Sequence, residues 1–164
     1  MTKRAFSLIE AIMVILIAGI LAVFLASDLV SSLSTVKLSA AQFKVKSDII
    51  YAQSLAVSQQ VNHGVIFDPS LETYSVYRQA PGNIVNNPLS GAAFTVNFNT
   101  DSDLQGVNLV SADFGSPDAN CLEFDSFGAP SDGAAALSAD GVVTLSNSGS
   151  NAVITVTRNT GKVQ

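Results

Sequence analysis

Between residues 6 and 26 the chain is apolar at every position except Ser7, Glu10 and Gly19. As a helix this run of 21 residues extends about 31 Å, close to the hydrocarbon thickness of a bilayer. Past Ala26 the apolar positions become periodic. Leu29, Leu33, Val36, Ala40, Phe43, Ile50, Val57 and Val61 recur at intervals of three and four that skip only Ser47 and Ser54. This spacing predicts one helix from about residue 6 to residue 62, amphipathic in its second half, with Gly64 just past the last turn as its stop. A sheet is expected to cover the stripe, and the small residues Ala52, Ala56 and Ser58 to let it approach. Because that sheet competes for the same surface, an independent coiled-coil dimer is the less favoured reading.

After Gly64 the period changes to that of strands. Val65, Ile66 and Phe67, the Asp68-Pro69 turn signal, and residues 73–77 read as a hairpin. Further strands are expected near 94–98, 107–111, 121–124, 142–146 and 153–157, separated by clusters of Gly, Pro, Asn, Asp and Ser. Residues 78–91, with two prolines and three asparagines, read as the longest irregular loop. The expected fold class is α+β, a long N-terminal helix packed on an antiparallel β-rich head.

Composition sharpens this division. The chain has 164 residues, 13% of them charged, and a formal net charge of −5. Lys3 and Arg4 precede the apolar run, which predicts a cytoplasmic N-terminus, a single pass through the inner membrane and a head on the far side. From Ser47 onward only Arg78, Arg158 and Lys162 stand against eleven carboxylates, a net of −8 that repels phosphate backbones.

Glu10 is the residue that a plain anchor leaves unexplained. A carboxylate within an apolar span costs about 2.5 to 3.5 kcal/mol on insertion scales and calls for a partner. No cation lies within the span, and Lys3 and Arg4 are six or seven residues away. The succession Lys3-Arg4-Ala5, then Phe6-Ser7-Leu8-Ile9-Glu10 and a long apolar helix, resembles the class III signal of type IV pilins and type II secretion pseudopilins. The resemblance implies that a prepilin peptidase cuts between Ala5 and Phe6 and methylates the new amine of Phe6. Ala5 stands where the family usually has Gly, and its small side chain is expected to keep the site competent. The resemblance also gives Glu10 its partner, the N-terminal amine of a neighbouring subunit. Pairing the two charges offsets part of the desolvation each suffers alone.

The head most resembles the H-type minor pseudopilin and the fimbrial T-type minor pilin, through residues 51–56 leading into 64–67, residues 122–128, and the ending 154–163. Four segments follow from the resemblance: leader 1–5, membrane and filament-core helix 6–27, amphipathic helix 28–63, and periplasmic head 64–164. The implied function is that of a noncatalytic filament subunit for type II secretion or type IV pilus assembly. Its implied partners are other pilins or pseudopilins, prepilin peptidase, the inner-membrane assembly platform and membrane lipid. A major pilin, a DNA-binding minor pilin of a competence pilus, and a bitopic membrane protein with no filament are the alternatives.

Little else in the sequence supports chemistry. A Ser-His-Asp or Cys-His arrangement needs an imidazole, and His63 is the one histidine, placed at the expected helix end where a cation is favourable. Cys121 opens a predicted strand with no Lys or Arg beside it in sequence and reads as an inert thiol. No cofactor is expected. Asp101 with Asp103, Asp113 with Asp118, and Asp125 with Asp132 are loop carboxylates that a structural calcium would need, though without EF-hand spacing. Arg158 and Lys162 are the cations a DNA-binding relative would use; two of them in a negative head neutralise few phosphates.

Overall fold

The computed structural model describes residues 7–115 and 120–164, with the backbone alone for residues 23–31. Helix α1 spans Leu8–Gln59, about 78 Å at 1.5 Å per residue. It begins after Ser7 in extended conformation and ends where Gln60 turns left-handed at φ 56°, with Val61 N–H bonding back to Ala56 O.

Among the described residues nine strands follow, all paired antiparallel. β1 (His63–Asp68), β2 (Thr73–Arg78), β3 (Ala80–Ile84), β6 (Cys121–Phe124) and β7 (Pro130–Ser131) form one sheet in the order β3-β2-β1-β6-β7. β4 (Thr95–Asn97) pairs with the first half of β2 and β3 with its last residues, so two short strands share that edge. The second sheet is β5 (Asn108–Asp113), β8 (Gly141–Asn147) and β9 (Ser150–Val156) in the order β5-β8-β9. Residues 163 and 164 return alongside β9, where Val163 bridges Val156.

The sheets close a single core against α1. Phe67, Tyr74, Phe98, Phe114 and Phe124 are almost wholly buried there with Leu145 and Ile154, and burying a side chain of this size contributes about 1.5 to 3 kcal/mol. The α+β architecture is the expected one. The hairpin at 63–78 and the strands at 121–124, 141–147 and 150–156 also fall where period and turn residues place them.

Three local expectations are corrected. The stripe of α1 that meets the sheets is Leu38, Ala41, Val45, Ile49, Ala52 and Ala56. Of the stripe read from the sequence, Leu33, Val36, Phe43, Ile50 and Val57 face solvent, from 44% exposed at Val57 to 75% at Phe43, and Ser58 is exposed as well. Alanines at three of the six covered positions allow the helix axis to lie close to the sheets. Gly64 caps nothing: it lies in β1, where a Cβ would stand 2.5 Å from Leu122 O and from Tyr77 Oη. Finally, residues 80–84 of the expected loop form β3. As an edge strand it tolerates Pro81, which has no N–H to pair.

Polar contacts fix the helix along its head-bearing half. Asn147 Nδ2 donates to Ser34 O at 3.2 Å, Lys37 Nζ to Gln105 O at 3.1 Å and Gln42 Nε2 to Val153 O at 2.9 Å. Gln53 Nε2 donates to Gly128 O at 2.9 Å and Thr160 O at 3.2 Å. Toward its start, residues 7–22 are exposed throughout.

Candidate functional site

The exposed start of α1 carries Glu10 in its first turn, with Glu10 N–H on Ser7 O at 3.1 Å. A carboxylate there complements the positive end of the helix dipole. Around it stand the exposed side chains of Leu8, Ile9, Ile12 and Met13. Lys3, Arg4 and the Ala5–Phe6 junction lie outside the described residues. Among the described residues no helical stretch is both long and apolar enough to cross a membrane. With the side chains of residues 23–31 set aside, the apolar run described in full, 8–22, measures about 22 Å.

His63 is not at the helix end but inside β1, fully buried. Its Nδ1 lies 2.8 Å from Val61 O, and its Nε2 has no partner. Neither Cys nor a carboxylate touches the ring among the described hydrogen bonds. Cys121 sits on the opposite face of the same sheet. Tyr77, Gly64 and Glu123 occupy one row across β2, β1 and β6. Tyr77 lies over Gly64 and reaches Glu123 Oε2 at 3.1 Å and Cys121 Sγ at 2.8 Å. The phenol has one proton and gives it to the carboxylate, so the thiol completes the chain as donor. Asn62 Nδ2 satisfies the other Glu123 oxygen at 2.8 Å. Burial pushes the Cys121 thiol and, more strongly, the Tyr77 phenol upward from their usual ranges. A thiol held protonated is a poor nucleophile, and this row is a satisfied polar network.

A second network was not legible in the sequence. Asp48, buried on the sheet-facing side of α1, accepts from Tyr74 Oη at 2.6 Å and from Lys44 Nζ at 2.6 Å. Burial and the adjoining Asp48 charge hold the Tyr74 phenol well above its ordinary range. The signal was present, since Asp48 falls between Val45 and Ile49 on the alternative stripe.

The loop aspartates are not gathered. Asp101 Oδ1 accepts from Asp103 N–H, Asp113 from Gly115, Asp125 from Phe127 and Ala129, and Asp132 from Ala134 and Ala135. Each closes its own turn, and the amides that Asp132 accepts hold its carboxyl below the usual range. Asp118 lies outside the described residues. Among the described residues no group of three or more metal-ligating side chains forms. Arg158 donates from Nη1 to Ser138 O at 2.9 Å, and its backbone N–H reaches Asp140 Oδ1 at 2.9 Å. Lys162 is exposed in the same C-terminal turn.

No protein-family model matches the sequence, and no curated protein matches it. Solved structures do. The minor pseudopilin EpsH from the type 2 secretion system of Vibrio cholerae aligns with a TM-score of 0.56 at 11% identity, over 78% of this chain and 94% of that one. The type IV minor pilin FimU of Pseudomonas aeruginosa aligns at 0.51 and 15% identity, over 77% and 90%. At such identities the shared property is the fold: this chain has the fold of those minor pseudopilin and minor pilin structures, a long helix laid across antiparallel sheets.

Proposed function

We propose that the chain is a noncatalytic subunit of a pilin-like envelope filament, a minor pilin or pseudopilin serving type IV pilus assembly or type II secretion. The observation that carries this is the exposed apolar start of α1 with Glu10 in its first turn. Among the described residues nothing in the head covers 8–22, and a surface this apolar needs lipid or neighbouring helices. The fold shared with EpsH and FimU supports the same reading.

In this reading residues 6–27 anchor the chain in the inner membrane and later join the filament core. Prepilin peptidase removes residues 1–5 and methylates Phe6. Glu10 then pairs with the amine of a neighbouring Phe6, which sets the register between subunits and withdraws a carboxylate from hydrocarbon. The assembly platform and other pilins are the partners. The head works by contact, and the acidic loops remain solvated or take calcium as a structural ion.

Intact-mass measurement tests the processing step: the mature chain is expected to begin at Phe6 with one added methyl group, and retention of Met1 would remove the reading. The assembly step is tested by Glu10→Ala, which should stay in the membrane fraction but lose co-purification with filament partners. Undiminished co-purification would remove the role of Glu10.

A further inference from the structure

We infer that the groove on the face of the first sheet turned away from α1 is a binding site for a basic side chain of a polypeptide, a lysine or arginine whose apolar stem lies on Ile66, Pro81 and Ile84 and whose charge meets Asp68. Alternation along β1 places Gly64, Ile66 and Asp68 on this face, while Val65 and Phe67 point into the core on the other. Register sets three rows across it. The row of Tyr77, Gly64 and Glu123 is filled, as described above. In the next, Ile66 stands between Ser75 of β2 and Cys121 of β6. In the third, Asp68 stands beside Thr73. The edge strand β3 supplies Pro81 and Ile84 from beyond β2, and Asn120 bounds the side of β6, around a cavity of about 430 Å³.

The chemistry of the lining selects the occupant. Among the described residues Asp68 is the one charged group there. Its Oδ1 is committed to the turn, where it accepts from Ser70 and Leu71. Its Oδ2 has no hydrogen bond or ion pair among the described residues. The Ser70 hydroxyl and the Leu71 amide hold the carboxyl below its usual range, so it stays charged. With no cation in the lining, the groove offers nothing to a phosphate or a carboxylate. The Cys121 thiol, kept protonated by burial, adds no charge of its own. An amphipathic cation fits this division, because lysine and arginine lay their stems along apolar surface and keep the charged head at a polar rim. A free amino acid would bring a carboxylate that nothing here meets, whereas within a polypeptide the amides around the cation are neutral. The net of −8 from Ser47 onward steers basic chains toward the head.

The groove belongs to the head alone, so the inference stands apart from the filament reading and from the roles of Ala5, Phe6 and Glu10. The test follows backbone amide shifts of the full chain in detergent micelles by nuclear magnetic resonance as N-acetyl-lysine N-methylamide is added. N-acetyl-norleucine N-methylamide serves as the uncharged match. The lysine probe should give saturable shifts at Ile66, Ser75 and Cys121. The norleucine probe should bind about fivefold more weakly, the upper end of what a half-exposed ion pair supplies. Asp68→Asn, which keeps the turn acceptor, should weaken the lysine probe by the same factor. Asp103→Asn makes an equal change of net charge on an exposed loop and should leave binding unchanged. Pro81→Lys, at an exposed edge position, supplies an ammonium group from the chain itself and should exclude the probe at an unchanged melting temperature. Shifts that do not saturate or that lie outside the groove overturn the inference. So do equal weakening by Asp68→Asn and Asp103→Asn, equal binding of the norleucine probe, and undiminished binding to Pro81→Lys. Cadaverine that binds more tightly than the lysine probe overturns the assignment to a polypeptide.

Discussion

The carboxylate of Glu72 accepts a hydrogen bond from the backbone N–H of Leu109 at 2.5 Å, joining the β1–β2 turn of one sheet to the first residues of β5 in the other. Glu72 holds this position at φ 55°, in the left-handed region, and its own carbonyl accepts from Phe98 N–H at 2.9 Å. One turn residue thus fastens β4, β5 and the hairpin together. Glu72→Ala keeps the backbone constraint and removes the acceptor, leaving a half-covered amide unpaired. A loss of about 1 to 3 kcal/mol is expected, which urea titration of the full chain in detergent would read as a lower midpoint at unchanged slope. Glu72→Gln, which retains an acceptor, should recover part of it.

Gly64 and Gly82 make a matched pair for testing the sheet row beneath Tyr77. A methyl group at Gly64 meets Leu122 O and the Tyr77 ring at 2.5 and 2.6 Å, whereas at Gly82 it meets nothing within 4 Å. Gly64→Ala is expected to cost about 1 to 3 kcal/mol through overpacking, or roughly 4 to 8 °C of melting temperature per kcal/mol in a head of this size. Gly82→Ala should be close to neutral. Equal melting temperatures for the two variants would contradict the packing described.

Alkaline unfolding should be steep. Tyr74 and Tyr77 both have phenols raised above the ordinary tyrosine value of 10 by burial and neighbouring acids. A group whose native pKa lies above its unfolded one contributes stability that is complete below the unfolded value and lost as pH climbs toward the native one. Stability is therefore expected to fall from about pH 10 upward, and two of the three tyrosines should ionise only as the head unfolds. Phenolate absorbance that rises for all three while the native circular dichroism persists would contradict this.

Cys121 is half-buried, bonded to Tyr77 and raised in pKa by burial. Its alkylation at neutral pH should be at least tenfold slower than that of a free thiol and should reach the free rate in denaturant. Tyr77→Phe removes the hydrogen-bond partner of the thiol and is expected to change the rate; an unaltered rate would sever the proposed chain from Cys121 to Glu123.

The strands were legible because each joins β-branched and aromatic residues to explicit turn chemistry, as in the hairpin that closes through Asp68, whose Oδ1 accepts from Ser70 and Leu71. β3 was not, since Pro81 and Gly82 are poor strand formers that only an edge admits. The covered helix face differs from the expected one for a physical reason: α1 is apolar on two sides. The exposed side carries Leu33, Val36, Phe43, Ile50 and Val57, while the covered side uses Ala41, Ala52 and Ala56 and includes the carboxylate of Asp48, which pattern reading counts as polar. Gly64 reads as a stop in the sequence because spacing cannot distinguish a glycine that frees the backbone from one that makes room for a ring. The expectation for Glu10 rests on its neighbours in sequence, and residues 1–6 lie outside the described structure.

The contacts that hold α1 to the head also determine how the subunit answers a pull. Ser34, Lys37, Gln42 and Gln53 are tied to four separate pieces of the head, the Asn147 turn, the Gln105 loop, β9 and the Gly128 loop, spread over some 28 Å of helix. A force along the helix axis loads these ties side by side, in shear, together with the packed stripe between them. None can peel away ahead of the rest, so tension applied at the first turn reaches the head as the displacement of one rigid body.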